Sequence, residues 1–327
     1  MPQFSVVTIG AAVQDIFLLS EAFQVIRSAQ FAGGLGECVA LGSKIGVEKL
    51  VIASGGGATN AAATFAALGN TTAICARIGD DAIGRDIVDD LLKRRIETRL
   101  IKKVSKEQTG TSVLLTVPNG ERSVLTYRGA SASFKNADLS PACFDTTAIY
   151  VTSLGGNAEL LSTIAKRAKA KKVVIAVNPG MGEIKQLRLC KEALANATVT
   201  IVNTEEAQTL LESKQKDPVE LAKALKKITS PVVIVTDGPN GAAAIDDTGT
   251  YFVKTTGKKS ISRTGAGDAF GSGTVAGLVK GLTLSDALKI GTLNAENVIQ
   301  HFGAKAGILK AWPNKKALER VIVRQVR

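Results

Sequence analysis

The stretch that says most about the fold is Thr264-Gly265-Ala266-Gly267-Asp268-Ala269-Phe270, which leads into a Gly/Ala-rich apolar run ending at Leu282. Small residues let backbone N–H groups converge on an anion, and the start of a helix adds unpaired donors and a positive dipole end. These features favour a phosphate ligand. A carboxylate fits there if Asp268 removes a proton from a hydroxyl group that then attacks the phosphate. The alternative is that Asp268 caps the helix and the glycines form a tight turn.

A second glycine-rich stretch, Ser54-Gly55-Gly56-Gly57-Ala58-Thr59-Asn60, precedes an alanine-rich helical segment. Its three consecutive glycines allow a ligand to approach the backbone closely. Asn60 offers a donor and an acceptor, which suits a pair of sugar hydroxyl groups. A flexible turn with an asparagine cap explains the stretch about equally well. A similar junction, Gly79-Asp80-Asp81-Ala82-Ile83-Gly84, is interpreted as a helix cap.

Length and composition are those of a globular protein with a large core. The chain has 327 residues, of which 45% are hydrophobic and 21% charged. No apolar run reaches the roughly 18 residues that a membrane span requires, and the N-terminus lacks the pattern of a signal peptide. Four scattered cysteines and a single histidine argue against a zinc site. We therefore predict reduced thiols and a cytoplasmic location.

The net charge of +12 raises the question of nucleic acid binding. The basic residues are dispersed, however, and aromatic residues make up only 4% of the chain, so a base-stacking surface is poorly supplied. Nucleic acid is therefore not favoured as the main partner. A positive field also attracts anionic phosphate substrates, and solubility explains the charge at least as well.

Strand-like and helix-like segments alternate along the chain, which predicts an α/β fold with a mostly parallel sheet covered on both faces. The predicted strands are 6–9, 72–76, 148–152, 173–177, 198–202 and 232–236. The predicted helices are 60–68, 84–94, 159–170, 204–211, 218–227 and 269–280. Ligands of such sheets bind beyond the carboxyl ends of the strands. The basic tail, Lys315–Arg327, is predicted to form a final helix.

Two segments, 15–50 and 98–128, interrupt this alternation with short strand candidates. Ser112–Val117 and Arg122–Tyr127, joined by the turn Pro118-Asn119-Gly120, predict a β-hairpin. If the two segments pair, they form a small sheet that acts as a lid and excludes water. The alternative is two unrelated surface excursions. With the lid set apart, the main domain comprises residues 1–14, 51–97 and 129–327.

The order of these motifs resembles that of the ribokinase-like (PfkB) family of carbohydrate kinases, from about residue 6 to residue 310. The resemblance implies a three-layer α/β sandwich with a β-sheet lid. The residues that carry it are Asp15, Gly55-Gly56-x-x-x-Asn60, Gly79-Asp80-Asp81-x-x-Gly84, Asn203-x-x-Glu206, Thr236-x-Gly238-x-x-Gly241 and Thr264-Gly265-Ala266-Gly267-Asp268.

The resemblance also implies roles for these residues. Asp268 is expected to be the catalytic base, and Gly265, Ala266 and Gly267 the anion hole that neutralises charge on the transferred phosphoryl group. The acceptor-contacting residues are expected to be Asp15, Gly55, Gly56 and Asn60, although Asp15 also fits an ordinary surface turn.

The resemblance also implies which residues bind ATP and Mg²⁺. Asn203 and Glu206 match the pair that organises Mg²⁺ and phosphate through water, although Glu206 also fits a helix cap. Thr236, Gly238 and Gly241 match the segment that meets the phosphates and ribose of ATP. The segment after Gly281, which contains Asn294 and Asn297, matches one wall of the adenine pocket.

Two departures from the family pattern bear on ligands. Many relatives have an aspartate six positions before the base, near a monovalent cation site, where this chain has Ser262; serine has no fixed charge, which puts potassium activation in doubt. Gly57 stands where ribokinases often have a lysine, which removes one polar contact with the substrate.

The implied activity is transfer of the γ-phosphoryl group of ATP to a hydroxymethyl group of a ribose-like sugar. Arg128, at the end of the lid hairpin, could instead hold the acid or phosphate group of another acceptor, or lie solvated at the lid edge. A nucleoside or a sugar acid such as 2-keto-3-deoxygluconate is the alternative acceptor. A non-catalytic sugar-sensing or nucleic-acid-binding protein on the same fold is the rival of another class. A homodimer through the lid is an expectation taken from the family.

Overall fold

The computed structural model describes residues 2–31, 33–117 and 122–326. The predicted turn Pro118-Asn119-Gly120 lies outside the described residues, but the strands on either side of it pair antiparallel as predicted.

The strands of the described chain are β1 (Phe4–Ile9), β2 (Val13–Leu19), β3 (Gln24–Arg27), β4 (Leu35–Cys38), β5 (Lys49–Gly55), β6 (Thr72–Cys75), β7 (Arg77–Gly79), β8 (Lys102–Val104), β9 (Gly110–Thr116), β10 (Arg122–Tyr127), β11 (Thr146–Val151), β12 (Val174–Val177), β13 (Val199–Asn203), β14 (Val232–Thr236), β15 (Ala242–Ile245), β16 (Thr250–Val253) and β17 (Val323–Val326). The α-helices are α1 (Gly57–Ala67), α2 (Ala82–Lys93), α3 (Ala158–Ala170), α4 (Met181–Ile184), α5 (Leu187–Ala195), α6 (Thr204–Leu211), α7 (Pro218–Lys226), α8 (Ala266–Val279), α9 (Leu284–Val298) and α10 (Lys315–Glu319).

A mostly parallel sheet forms the middle layer, with nine strands in the described residues in the order β17-β16-β15-β14-β13-β12-β11-β1-β6. The strands from β14 to β6 are parallel, and β15, β16 and β17 extend the sheet antiparallel. One core cluster packs α3, α5, α6 and α7 on one face, and a second packs α1, α8 and α9 on the other. The predicted three-layer α/β architecture is therefore confirmed.

The lid is a separate sheet of order β10-β9-β2-β5, in which β2 pairs parallel with β9. The two segments that interrupt the α/β alternation therefore join into one sheet, as predicted. Strand β2 begins at Val13 and strand β5 ends at Gly55. The lid sheet therefore extends beyond the predicted limits at residues 15 and 50. This continuity places Asp15 and Gly55 where the lid meets the main domain.

The prediction of a final helix over Lys315–Arg327 is wrong in its second half. The helix α10 ends at Glu319, and Val323–Val326 pairs antiparallel with β16. The pairing supplies hydrogen-bonding partners to the backbone of β16, which would otherwise be an open edge. Among the described residues, no helix has the length and apolar character needed to span a bilayer.

Candidate active site

Helix α8 begins at Ala266, and its second turn lies against the central sheet, where Gly271 contacts the Tyr150 hydroxyl of β11. Gly265 precedes the helix in a left-handed conformation (φ 79°), and a Cβ there would stand 2.3 Å from Cβ of Ala304. A Cβ at Gly267, by contrast, would meet no atom within 4 Å apart from the nearby backbone of its own helix. The helix therefore begins on a turn that requires glycine, and its first exposed residue faces open space.

The backbone donors of this turn differ in availability. Ala266 was expected to donate its N–H to the anion. In this structure that N–H donates to the carbonyl of Arg263 (3.3 Å) instead, so it is not free. The N–H groups of Gly267 and Asp268 have no acceptor in the part of the chain that the structure describes. The buried hydroxyl of Thr264 also lacks a partner among those residues. This turn consequently offers unpaired donors to an anion.

Asp268 is joined to the first turn of α1. Asn60 Nδ2 donates to Asp268 Oδ2 (2.8 Å), and Asn60 Oδ1 accepts from Lys305 Nζ (3.0 Å). Sequence reasoning placed Asn60 at the site but missed Lys305. The available signal was a single lysine between small residues in Gly303-Ala304-Lys305-Ala306-Gly307.

Asp15 enters the same region from the lid strand β2 and is only 6% exposed. Its position on β2 is in register with Ser112 on β9, whose hydroxyl hydrogen-bonds to the Asp15 carboxylate. Gly55 lies directly against this carboxylate. Gly56 has φ 93° and approaches the carbonyl of Ala11, so a side chain there would also collide. The glycine pair thus brings the end of β5 close to β2.

Burial dominates the electrostatics of these groups. It raises the pKa of Asp15 to about 6, against the opposing charge of Lys305. Burial also raises the pKa of Asp268, while the hydrogen bond from Asn60 and the charge of Lys305 oppose the rise. Burial also lowers the pKa of Lys305, to about 8. A carboxylate with a raised pKa is suited to accept a proton near neutral pH.

Asn203 and Thr236 stand opposite each other at the carboxyl ends of β13 and β14. Asn203 and Glu206 form a capping box on α6: Asn203 Oδ1 accepts from the N–H of Glu206 (2.9 Å), and Glu206 Oε2 accepts from the N–H of Asn203 (2.8 Å). Burial raises the pKa of Glu206 to about 7, and the carboxylates of Glu205 and Glu183 contribute to the rise. A cation placed at this surplus of negative charge would be stabilised.

The other predicted nucleotide residues occupy different kinds of position. Gly238 has φ 51° and faces open space, whereas a Cβ at Gly241 would stand 2.0 Å from the carbonyl oxygen of Val253. Gly241 therefore allows a close strand contact. Asn294 is fully buried, donates to Thr64 Oγ1 and the Ala269 carbonyl, and accepts from the N–H of Leu309. The prediction that Asn294 lines an adenine pocket is corrected, since its amide joins α9 to α8 and α1.

Two further predictions concern Arg128 and Asp81. Arg128 is exposed where β10 ends. Asp81 caps α2 by accepting from the N–H of Gly84 (2.8 Å), which agrees with the interpretation of that junction as a helix cap. No group of three or more His, Cys, Asp or Glu side chains is arranged to hold a metal ion among the described residues.

Known proteins resemble this chain over nearly its whole length. A family model described as pfkB family carbohydrate kinase matches residues 5–311. A ribokinase from Haemophilus influenzae is 26% identical over 265 residues, which cover 79% of this chain and 84% of the relative. The adenosine kinase from Sinorhizobium meliloti has a TM-score of 0.77 at 22% identity, covering 94% and 97% of the two chains. A ribokinase from Arabidopsis thaliana, solved with ribose and ATP, has a TM-score of 0.76 at 19% identity, covering 97% and 98%.

Proposed function

Because the chain belongs to the PfkB family of carbohydrate kinases, we propose that it transfers the γ-phosphoryl group of ATP to the hydroxymethyl group of a ribose-like sugar. The observation that carries this proposal is the position of the Asp268 carboxylate. It lies in the first turn of α8, beside the N–H of Gly267, which has no acceptor among the described residues, and it receives a hydrogen bond from Asn60. A proton acceptor and anion donors therefore share one place, as phosphoryl transfer to an alcohol requires.

The step itself follows from these groups. The acceptor oxygen forms a bond to the γ-phosphorus as the bond to the leaving ADP oxygen breaks, and the hydroxyl proton passes to Asp268. The N–H of Gly267 and the hydroxyl of Thr264 donate to the charge that builds on the phosphoryl oxygens. Asp15, carried by the lid, accepts hydrogen bonds from other hydroxyl groups of the acceptor. The lid excludes the water that would otherwise hydrolyse ATP.

The donor side is proposed to lie along the ends of β13 and β14. Thr236 and Gly238 would contact the phosphates and ribose of ATP, since both lie there and Gly238 faces open space. Asn203 and Glu206 would hold Mg²⁺ through water. Burial, with smaller contributions from the carboxylates of Glu205 and Glu183, raises the pKa of Glu206, and a divalent cation would offset this negative charge. When bound, Mg²⁺ would offset the charge of the phosphates.

The charges around the acceptor favour a neutral sugar. Asp15 and Asp268 bring two carboxylates to the site and Lys305 one ammonium group, so an acidic or phosphorylated acceptor would meet a net negative charge. Arg128, which would have to compensate, is exposed. Phe17 and Phe23 are buried and offer no free ring face to a nucleoside base, whereas Phe31 and Tyr127 are exposed, so a nucleoside stays the alternative acceptor.

A homodimer through the lid is part of the proposal. Alternate residues along the lid strands form an apolar face, on which Leu50, Ile52 and Leu125 are each more than half exposed. A contiguous apolar face of this kind is typical of an association surface. The other residues of this face are Ile16, Leu18, Val113 and Leu115.

The experiment that tests the function is an acceptor screen with purified protein, ATP and Mg²⁺. ADP formation is measured with ribose, 2-deoxyribose, adenosine, inosine, 2-keto-3-deoxygluconate and fructose 6-phosphate, and the product is identified by phosphorus NMR. We expect acceptor-dependent ADP and a phosphomonoester with ribose, and none with Asp268→Asn. Turnover only with a nucleoside or a sugar acid would show that this compound, rather than ribose, is the acceptor. Absence of acceptor-dependent ADP throughout would favour the non-catalytic alternative.

A further inference from the structure

Lys305 is a buried lysine whose hydrogen-bonding capacity is used entirely within the protein. Its side chain is 6% exposed. The ammonium group donates to the carbonyl of Ser54, to Thr59 Oγ1 (2.9 Å) and to Asn60 Oδ1 (3.0 Å). Because an ammonium group has three protons, none remains for a substrate. Lys305 therefore acts on the site through its protein partners.

The first consequence concerns the orientation of Asn60. A lysine only donates, so the amide oxygen of Asn60 must face Lys305 and its NH₂ group must face Asp268. The opposite rotamer would place the NH₂ group against the ammonium and the oxygen against the carboxylate. Lys305 thus determines that Asp268 receives a hydrogen bond.

The second consequence concerns charge. The charged groups that face Lys305 are Asp15 on β2, Asp268 on α8, Asp90 on α2 and Arg94, which follows α2. Asp90 and Arg94 form an ion pair with each other (3.0 Å). Asp90 has the largest charge effect on Lys305, and the ammonium in turn opposes the rise in pKa of both Asp15 and Asp268.

The segment that carries Lys305 is fixed to the first turn of α8. Ala304 packs against Gly265 so closely that a Cβ on Gly265 would stand 2.3 Å from the Ala304 Cβ. Gly303 and Gly307, on either side, adopt left-handed conformations (φ 95° and 82°), which few other residues adopt. The segment therefore brings its lysine under the site in a defined position.

We propose that Lys305 is a positioning residue for phosphoryl transfer: it orients the amide of Asn60 toward Asp268 and supplies a positive charge that favours the carboxylate form of Asp268. This inference rests on the proposed role of Asp268 as the base. Loss of the ammonium raises the pKa of Asp268, so the acid limb of the kcat profile moves to higher pH. A purely structural role would lower activity without moving that limb.

The kinetic test compares Lys305→Met with Lys310→Met, an exposed lysine of the same segment. We expect Lys305→Met to lower kcat about 10- to 100-fold and to move its acid limb up by about half a pH unit or more. The KM for ATP should be retained, and Lys310→Met should match the wild type. Lys305→Gln keeps a hydrogen-bond donor toward Asn60 but removes the charge, so it should move the acid limb of the kcat profile as far as Lys305→Met does. If Lys305→Met does not fold, Lys305→Gln provides the test. An unmoved acid limb in both variants overturns the proposal.

A second measurement needs no turnover. The denaturation midpoint is measured for wild type, Lys305→Met, Asp268→Asn and the double variant. If the ammonium offsets the Asp268 charge, Asp268→Asn raises the midpoint more in the Lys305→Met background than in the wild type. Additive changes would overturn the proposal. Should the acceptor screen show no transfer at all, the proposed function fails, while this cycle still decides whether Lys305 and Asp268 are coupled.

Discussion

Gly55 lies so close to the carboxylate of Asp15 that a Cβ on Gly55 would stand 2.0 Å from Asp15 Oδ2. The two residues belong to adjacent antiparallel strands of the lid sheet, β5 and β2. Only a residue without a side chain permits this approach, since real Cβ contacts are never so short. The glycine therefore sets where the buried carboxylate of Asp15 lies, just where the lid joins the main domain.

Gly55→Ala should displace the Asp15 carboxylate and weaken acceptor binding. We expect the KM for the acceptor to rise about 10-fold or more, because hydrogen bonds to a charged group are lost or bent. The KM for ATP should stay near the wild-type value. Gly46→Ala is the control, since a Cβ there meets no atom within 4 Å. Equal effects of Gly55→Ala on both substrates would contradict the placement of Asp15 at the acceptor.

Asp15→Asn should bind the acceptor poorly yet stabilise the fold. A rise in pKa from 3.8 to about 6 corresponds to a penalty of about 3 kcal/mol for holding the charged carboxylate in the folded state. The folded state holds this proton more tightly than the unfolded state, so the penalty is complete above pH 6 and disappears as the pH falls toward 3.8.

The measurement is the free energy of unfolding of both proteins by urea between pH 4 and pH 8. The advantage of Asp15→Asn should approach about 3 kcal/mol at the upper end and vanish at the lower end. An advantage independent of pH would show that the carboxylate has an ordinary pKa. A larger effect on ATP binding than on acceptor binding would contradict its assignment.

Asp268→Asn should abolish most of the chemistry and leave ATP binding largely intact. Loss of a general base costs about 10²- to 10⁴-fold in kcat. In the wild type, kcat should fall as the pH drops through the pKa of Asp268, which burial raises above the ordinary aspartate value of 3.8. Calorimetry with ATP and a pH profile of kcat provide the measurements. Asp247→Asn, at an exposed surface position, is the control. Near-normal turnover of Asp268→Asn would refute its role as the base.

Gly267→Ala should separate stability from activity. A Cβ at this position would meet no atom within 4 Å apart from the nearby backbone of its own helix, and alanine favours a helix over glycine by up to about 1 kcal/mol. The same methyl group would enter the open space beside the N–H that we assign to the phosphoryl group, so kcat should fall about 10-fold or more. Thermal unfolding and steady-state kinetics test both parts. An unchanged kcat would remove Gly267 from the proposed anion hole.

The features that could be predicted from the sequence are local. The helix Thr204–Leu211 has the predicted bounds, because its Asn203/Glu206 capping box and its apolar spacing are written in adjacent residues. The parallel strands could be predicted because they are continuous apolar runs. Glycine-rich turns before α1 and α8 likewise carry their own signal.

What could not be predicted depends on contacts between distant parts of the chain. Lys305 lies 245 residues from Asn60 along the sequence, and only the packing of Ala304 against Gly265 brings it to the site. The edge strand Val323–Val326 depends on the open backbone of β16, which a local pattern does not report. The burial of Asn294 could not be predicted for the same reason, because its amide hydrogen-bonds to three other segments of the chain.

The apolar face of the lid should hold two copies of the chain together. Ile52 and Leu125, which are 57% and 59% exposed, lie on opposite edge strands of this face. Ile52→Asp with Leu125→Asp would place two charges in the interface of each subunit, and an unpaired charge cannot be buried without a large cost. We expect a dimer of the wild type and a monomer of the double variant in sedimentation velocity. Ile322→Asp, an equally exposed apolar residue far from the lid strands in sequence, should leave the dimer intact. A wild-type protein that stays monomeric at high concentration would exclude association through this face.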